Sequence, residues 1–389
     1  MAKQAFIIIL FVAAGISVVL FVLPGQQASY SNMHPSDDAV AAPTSDDTTH
    51  PSLDTQSDSL PDPLEPIVVT HQDTPDIVKG VYVTEYTFAS PARIADLISL
   101  SETTELNALV IDIQSHGDDL FVINENTAKG RLALLHEKGI YLIARLVAFN
   151  DEQGGWYDPA SKERWTQIKK ISHHAIELGF DEINYDYMRY PGPSEPDSIT
   201  PVEQRTPIIT SFFKFLKEEV RDETGRPISL DIFGSTFVYE ETHIGQRMED
   251  AVKYFDYIMP MPYPSHWANG TFGYEHPGRH PYEIVYQGLK VGWDKVKDDP
   301  ERIAQLRTWI QDFNLESVFP IVYYDYTPEM IHQQIYACYH NGCEGWVFWN
   351  PRNEYRKESL IIPPTPPAPT PDPAPTASTT PSDATSTTN

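Results

Sequence analysis

Positive charge is scarce in this chain. Lys and Arg together number 28 against 55 Asp and Glu in 389 residues, a formal net charge of −27. Binding of nucleic acid requires basic groups that neutralise phosphates, and adhesion to anionic lipid headgroups requires them too, so the composition excludes both as partners. Cysteine is almost missing: Cys338 and Cys343 in "YACYHNGCEGW" are the whole complement. Two readings stay open for them, a disulfide across a helix-to-strand turn in an exported protein or two small half-buried thiols, and neither makes them catalytic. The chain has no H-E-x-x-H, no C-x-x-C and no paired-histidine spacing for a metal, and no G-x-S-x-G elbow for a serine hydrolase. No metal and no cofactor are expected.

A further absence is positional. After Lys3 no Lys or Arg occurs until Lys79, while Ala5 to Leu23 is apolar apart from Gly15 and Ser17. That run is close to the roughly 20 residues that span a bilayer. A cleaved signal peptide is the alternative, with an apolar region of about 7–15 residues and a small-residue cleavage site. The run is long and "GQQAS" is a weak cleavage site, so an uncleaved N-terminal membrane anchor over 1–24 is favoured, with Lys3 on the inner side. In either case the remainder is expected outside the cytoplasm, anchored to the membrane or secreted after cleavage.

Apolar clusters are also missing from 25–77, an acidic stretch rich in Pro, Ser and Thr, and from the tail 359–389. Neither can offset the entropy of ordering, and both are expected to be disordered. What remains, 78–358, is rich in aromatics and matches the size of one large barrel domain.

Within it, short apolar runs alternate with helical patterns: "GVYVTEYT" (80–87), "ALVIDIQS" (108–115), "GIYLIARLVAF" (139–149), "EINYDYM" (182–188), "PISLDIFG" (227–234), "YIMPMPY" (257–263), "RTWIQDF" (307–313) and "GWVFWN" (345–350). A hairpin is possible at "DDLFVIN", and "FPIVYYD" (319–325) reads as an extra strand or insertion. Strands alternating with helices imply a parallel sheet. Eight of them fit an α/β (β/α)8 TIM barrel. A doubly wound open sheet is the runner-up, disfavoured because no Gly-rich phosphate loop follows the first strand.

In such a barrel the reaction centre lies at the C-terminal ends of the strands. "DEINYDYMRYP" places Glu182, Asn184, Asp186 and Met188 on one face by alternation, and charge on that face is costly unless used or paired. The principal pair is Asp186 and Asp231, on adjacent strands and both inward. Asp112, Arg145, Arg189, Tyr263, His266, Gln311, Asp312, Trp349 and Asn350 also fall near strand ends, and Glu182 is a reserve carboxylate deeper in its strand. Each taken alone has a structural alternative, as a helix cap or a rim salt bridge. Paired carboxylates flanked by aromatics suit glycosidic bond cleavage, one donating a proton and the other serving as nucleophile or base. Tyr187, Tyr263, Trp267, Trp346 and Trp349 are aromatics that could stack on sugar rings, with core packing the alternative for Tyr187 and Trp346.

Taken in order, "VKGVYVTEYT", "TELNALVIDIQ", "LGFDEINYDYMRYP", "ISLDIFG", "IMPMPYPSHW", "RTWIQDF" and "GWVFWNPRNEY" resemble the DUF4015 family of glycosidase-like barrels over about residues 78–355. The resemblance implies a TIM barrel with acidic residues at Asp186 and Asp231 and a loop bearing Tyr263 and His266. Glu85, Thr308, a short "NDEQGGWYDP" segment and the stretch "FPIVYYDYT" depart from the family pattern. The expected activity is hydrolysis of an extracellular or envelope polysaccharide. The alternatives are a non-catalytic carbohydrate-binding protein on a degenerate barrel and a metal-dependent hydrolase built on Asp112, His116 and His266. Oligomeric state is not legible.

Overall fold

The computed structural model describes residues 67–113, 120–151, 155–192, 198–239, 243–314 and 325–364, together with the backbone of 7–13 and 16–22. Its centre is a parallel sheet: β1 (Val78–Val83), β2 (Ala108–Ile113), β3 (Tyr141–Val147), β4 (Glu182–Asp186), β5 (Ile228–Phe233), β6 (Tyr257–Met261), β7 (Gln305–Leu306), β8 (Thr308–Gln311) and β9 (Gly345–Trp349). β1 to β7 pair in chain order, β9 pairs with β1, and β8 pairs with β9. β7 and β8 are separated by Arg307 alone, so 305–311 is one stave whose lower part pairs with β6 and whose upper part pairs with β9. The ring therefore closes with eight staves, which settles the choice against an open sheet. Closure also removes the exposed edges that an open sheet must protect.

Helices α1 (Pro91–Thr103), α2 (Glu125–Glu137), α3 (Lys162–Leu178), α4 (Val202–Leu216), α5 (Met248–Ala251), α6 (Pro281–Trp293) and α7 (Pro328–His340) fill the crossovers. Their starts are written locally. Ser90, Asn124, Ser161 and Thr327 each accept a backbone N–H of the first turn, and Pro91 and Pro328 follow two of these caps. Strands buried on both faces need Val, Ile and Leu throughout. Ile183 and Tyr185 accordingly face outward into the layer beneath the helices, while Val78, Tyr82, Val110, Ile143, Met259, Trp309, Val347 and Trp349 fill the barrel. At the β9–β1 junction Gly345 has φ +156°, and a Cβ there would sit 2.5 Å from the Val78 carbonyl oxygen. Only glycine allows that approach.

Several expected elements differ. The first strand ends at Val83, because Thr84 caps a short helix over Glu85–Ala89. Glu85 is thus a buried helical residue beyond the strand. Leu120–Ile123 form bends, Asn124 caps α2, and Asp118 and Asp119 of the expected hairpin lie outside the described residues, as does nearly all of "FPIVYYD". Ile7–Ala13 and Ile16–Val22 pair as an antiparallel hairpin instead of a helix. Both runs are rich in β-branched residues, which favour extended backbone. Among the described residues no helix is long and apolar enough to cross a membrane. Cys338 and Cys343 are buried free thiols, and the Cys338 Sγ–H donates to the Gly345 carbonyl oxygen at 3.3 Å.

The domain also begins earlier than expected. Residues 67–77, read as linker, run across the lower end of the barrel. The Gln72 N–H donates to Asp181 Oδ1 at 2.7 Å, its side-chain amide donates to the His136 carbonyl at 2.9 Å, and Thr74 Oγ1 lies 3.0 Å from the Tyr141 hydroxyl. Composition hides this strap because it is held by polar and backbone bonds, which apolar periodicity does not register. The tail likewise continues to Pro363, whose carbonyl accepts from the Tyr336 hydroxyl at 2.9 Å. Deleting the chain through Ile77 is expected to cost about 2–4 kcal/mol by urea unfolding, roughly 1 kcal/mol per hydrogen bond lost. Deletion through Pro66 should leave stability unchanged, and equal stabilities for the two truncations would show that the strap contributes nothing.

Candidate active site

Parallel register brings the polar residues to one level at the upper end of the ring. Asp112 on β2 stands beside Arg145 on β3, and Asp186 on β4 lies one step above the Asn184 that pairs with Arg145. Arg145 is the hub. Its Nη1 donates to Asp112 Oδ1 and its Nη2 to Asp186 Oδ2, both at 2.5 Å, and its Nε lies 3.8 Å from Asp231 Oδ2. The guanidinium carbon sits 5.5 Å from the Tyr82 ring centre and 5.2 Å from that of Trp349, so aromatic faces flank the cation. The Tyr82 hydroxyl donates to Asp112 Oδ2.

Asp231 is the most enclosed of the three carboxylates, 1 % exposed against 6 % for Asp186 and 9 % for Asp112. Its Oδ1 accepts from Asn184 Nδ2 at 2.9 Å and from the Trp309 indole at 2.7 Å. Burial pushes its carboxyl well above the usual carboxylate range. The Asp186 charge pushes the same way, and Arg145, Trp309 and Asn184 offset this only in part. Asp112 is raised by burial too, against the pull of Arg145 and Tyr82. Burial works to lower Arg145, but the carboxylates around it outweigh that and hold it protonated. Asp186 has Oδ2 on Arg145 and accepts the Tyr187 N–H on Oδ1 at 2.6 Å. Tyr187 has φ +51°, a left-handed conformation unusual for an aromatic residue and found here directly beside a candidate catalytic group.

The remaining expected residues divide. Tyr263 joins the site: burial, then the Asp231 and Asp186 charges, push its hydroxyl well above its ordinary pKa. Trp349 joins through Arg145. His266 packs edge-on against Tyr263 at 5.4 Å, and burial lowers it to about 4, so the ring is neutral. Arg189 lies among Trp156, Tyr187 and Phe233, 4.7–5.7 Å from their ring centres, beside the mouth. Glu182 belongs to the barrel floor: its Oε1 accepts from Arg307 at 2.8 Å and its Oε2 from Tyr141 at 3.1 Å, and both it and Arg307 are fully buried. Gln311 braces the loop after β6, accepting the Ser265 N–H at 3.1 Å. Asn350 closes its own turn, accepting from the Arg352 N–H at 3.0 Å.

Trp346 is outward core packing against Phe348, and Trp267 packs on Phe272. The trio Asp112, His116 and His266 does not assemble from what is described: Asp112 engages Tyr82 and Arg145, His266 packs on rings, and His116 lies outside the described residues. Among the described residues no group of three His, Cys, Asp or Glu is arranged to hold a metal ion.

Asp312 sits at the rim, 3.4 Å from Arg356 and 4 % exposed; burial pushes its carboxyl up to about 7 and Arg356 opposes this only in part. Its folded pKa lies above the unfolded value of about 3.9. The proton is therefore held more tightly in the folded state, and stability falls as pH rises from about 4 towards 7. Asp312→Asn should flatten that part of the stability–pH curve in urea titrations, and an unchanged slope would place the titration elsewhere.

Sequence reasoning missed Tyr82, Asn184, Trp309 and Arg307. Alternation had already put Asn184 on the inward face, and the same rule applied to "RTWIQ" aims Trp309 inward beside Gln311. For Asn184 and Trp309 the signal was present but attached to residue types that do not titrate.

With this geometry in place, the family model described as "Putative glycosyl hydrolase domain", DUF4015, matches residues 80–155 and 152–355, nearly the whole barrel. The chain belongs to the DUF4015 family. No curated protein sequence matches this DUF4015 chain. Among solved structures it is similar to the C-terminal domain of a "putative chitinase" from Desulfitobacterium hafniense, with 11% identity, TM-score 0.52, and 73% of this chain and 96% of that one covered. It is also similar to an endo-1,4-beta-D-mannanase from Thermotoga petrophila, with 13% identity, TM-score 0.50, and coverage of 70% and 88%. At such identities the likeness shows the barrel fold alone.

Proposed function

We propose that this DUF4015 protein is a glycoside hydrolase that cleaves an extracellular or envelope polysaccharide with Asp231 as general acid and Asp186 as nucleophile or base. One observation carries the reading. Two carboxylates on adjacent staves lie against a single guanidinium at the C-terminal mouth, and burial with a neighbouring negative charge fits Asp231 for the acid role. Asp231, enclosed and beside a negative charge, keeps its proton; Asp186, ion-paired with Arg145, supplies negative charge towards the mouth. In the reaction the Asp231 proton passes to the leaving glycosidic oxygen as the C–O bond breaks. Asp186 either attacks the anomeric carbon or takes a proton from the attacking water.

Tyr82, Tyr263 and Trp349 pack around the carboxylates at 6–8 % exposure, so an aromatic rim borders the place where a sugar ring would meet them. Family membership and the chitinase and mannanase names of the structural relatives support the reaction class. The apolar N-terminal run and the lack of Lys and Arg over 4–78 support an extracytoplasmic location. A second reading, carbohydrate binding without turnover, draws on the burial of Asp231, which a binding-only barrel would tolerate. Release of reducing ends from a panel of bacterial polysaccharides, run beside Asp186→Asn, separates the two. Release that vanishes in the variant supports hydrolysis, and binding without release on every glycan supports the second reading.

A further inference from the structure

We infer that Trp309 and Asn184 act together as positioning residues that keep the acid proton of Asp231 on Oδ2, an inference that rests on the acid role proposed for Asp231. The geometry is asymmetric about the carboxyl. Oδ1 accepts two N–H bonds, from Asn184 at 2.9 Å and from the indole of Trp309 at 2.7 Å. An indole N–H can donate but not accept, so it accepts no proton from an Asp231 O–H. The oxygen bonded to two donors is therefore the carbonyl oxygen of the neutral acid. Oδ2 has no hydrogen-bond donor among the described residues, and Arg145 Nε at 3.8 Å is beyond bonding distance.

Both donors are themselves held. Trp309 is 1 % exposed and meets Trp349 edge-on with ring centres 5.6 Å apart. The amide nitrogen of Asn184 also donates to Ser229 Oγ at 3.1 Å. Trp309 stands two staves from β5, so an element that does not carry Asp231 dictates which of its oxygens holds the proton. The same two bonds stabilise the carboxylate once the proton has left, which eases proton transfer. The charged and titratable groups that face Asp231 are Asp186 from β4, Arg145 from β3 and Tyr263 from the loop after β6. Trp309→Phe leaves all three in place.

The test is infrared difference spectroscopy of the full-length protein across a pH titration, with the Asp231 carbonyl band assigned by its loss in Asp231→Asn. In Trp309→Phe the band should move to higher frequency, since its hydrogen bond is gone, and should titrate at higher pH, since that bond favoured the charged form. On a cleaved glycan the same variant should lose tenfold or more in kcat with little change in KM, and the basic limb of its pH–rate profile should move up. A band and a limb that stay in place, or equal losses in kcat and KM, would mark Trp309 as packing only and overturn the inference. If Trp309→Phe fails to fold, Asn184→Ala must show the same two shifts to a smaller degree. A wild type that cleaves no glycan while the band shifts as expected would sustain the proton assignment and overturn the hydrolase reading.

Discussion

Asp231→Asn is expected to abolish turnover and at the same time to stabilise the fold near neutral pH. The amide cannot deliver a proton to a leaving oxygen, and general acid catalysis is worth about 10²–10⁴ in rate. The stability gain follows from the direction in which the fold moves the carboxyl. Asp231 has a folded pKa raised above its unfolded value of about 3.9, by burial first and the Asp186 charge second. Its contribution to stability is complete below about pH 4 and is lost as pH rises towards the folded pKa. Asparagine does not ionise and keeps an oxygen for Trp309 and Asn184, so it escapes that loss, which is about 1.4 kcal/mol for every tenfold by which folding tightens the hold on the proton. Urea titrations of wild type and variant should diverge above about pH 5 and converge near pH 4. A variant less stable than wild type at every pH would mean that Asp231 is held as a carboxylate whose charge the fold requires.

Arg145→Met is expected to give the largest loss of stability. One guanidinium is bonded to the Asp112 and Asp186 carboxylates and lies 3.8 Å from Asp231, and all three groups are at most 9 % exposed. Removing the cation leaves like charges buried together, a situation that costs about 3–5 kcal/mol in comparable buried pairs. Because the cost is charge repulsion and desolvation, it should shrink as the solution is acidified and the carboxylates take up protons. Adding Asp112→Asn should recover part of it. Calorimetric or denaturant unfolding checks both, and a loss independent of pH would mean that Arg145 acts by packing against Tyr82 and Trp349.

The barrel was legible because its signal is repeated. Each stave carries alternation, the longer crossover helices carry helical periodicity and four of them a side-chain cap, so eight short segments support one another even where boundaries are displaced. The inward face of "EINYDY" was legible for the same reason, and the structure keeps Asn184 and Asp186 on it. Depth along the strand was harder to read. Glu182 and Asp186 share a face, yet two residue pairs of rise put one on the floor with Arg307 and the other at the mouth with Arg145. Partners on distant staves were not legible, since Trp309 reaches Asp231 across 78 residues of chain. The strap over 67–77 escaped notice because composition reports apolar content, whereas its hold on the barrel is through Gln72, Thr74 and Asp181.

The central claim is that Asp186 and Asp231 form one catalytic pair, and it is tested most directly by turnover and binding on a single cleaved glycan. Wild type, Asp186→Asn and Asp231→Asn should bind that glycan with similar affinity, while both variants lose reducing-end release by at least about a hundredfold. Folded variants that release reducing ends at the wild-type rate would contradict the account and move the chemistry away from the Arg145 cluster.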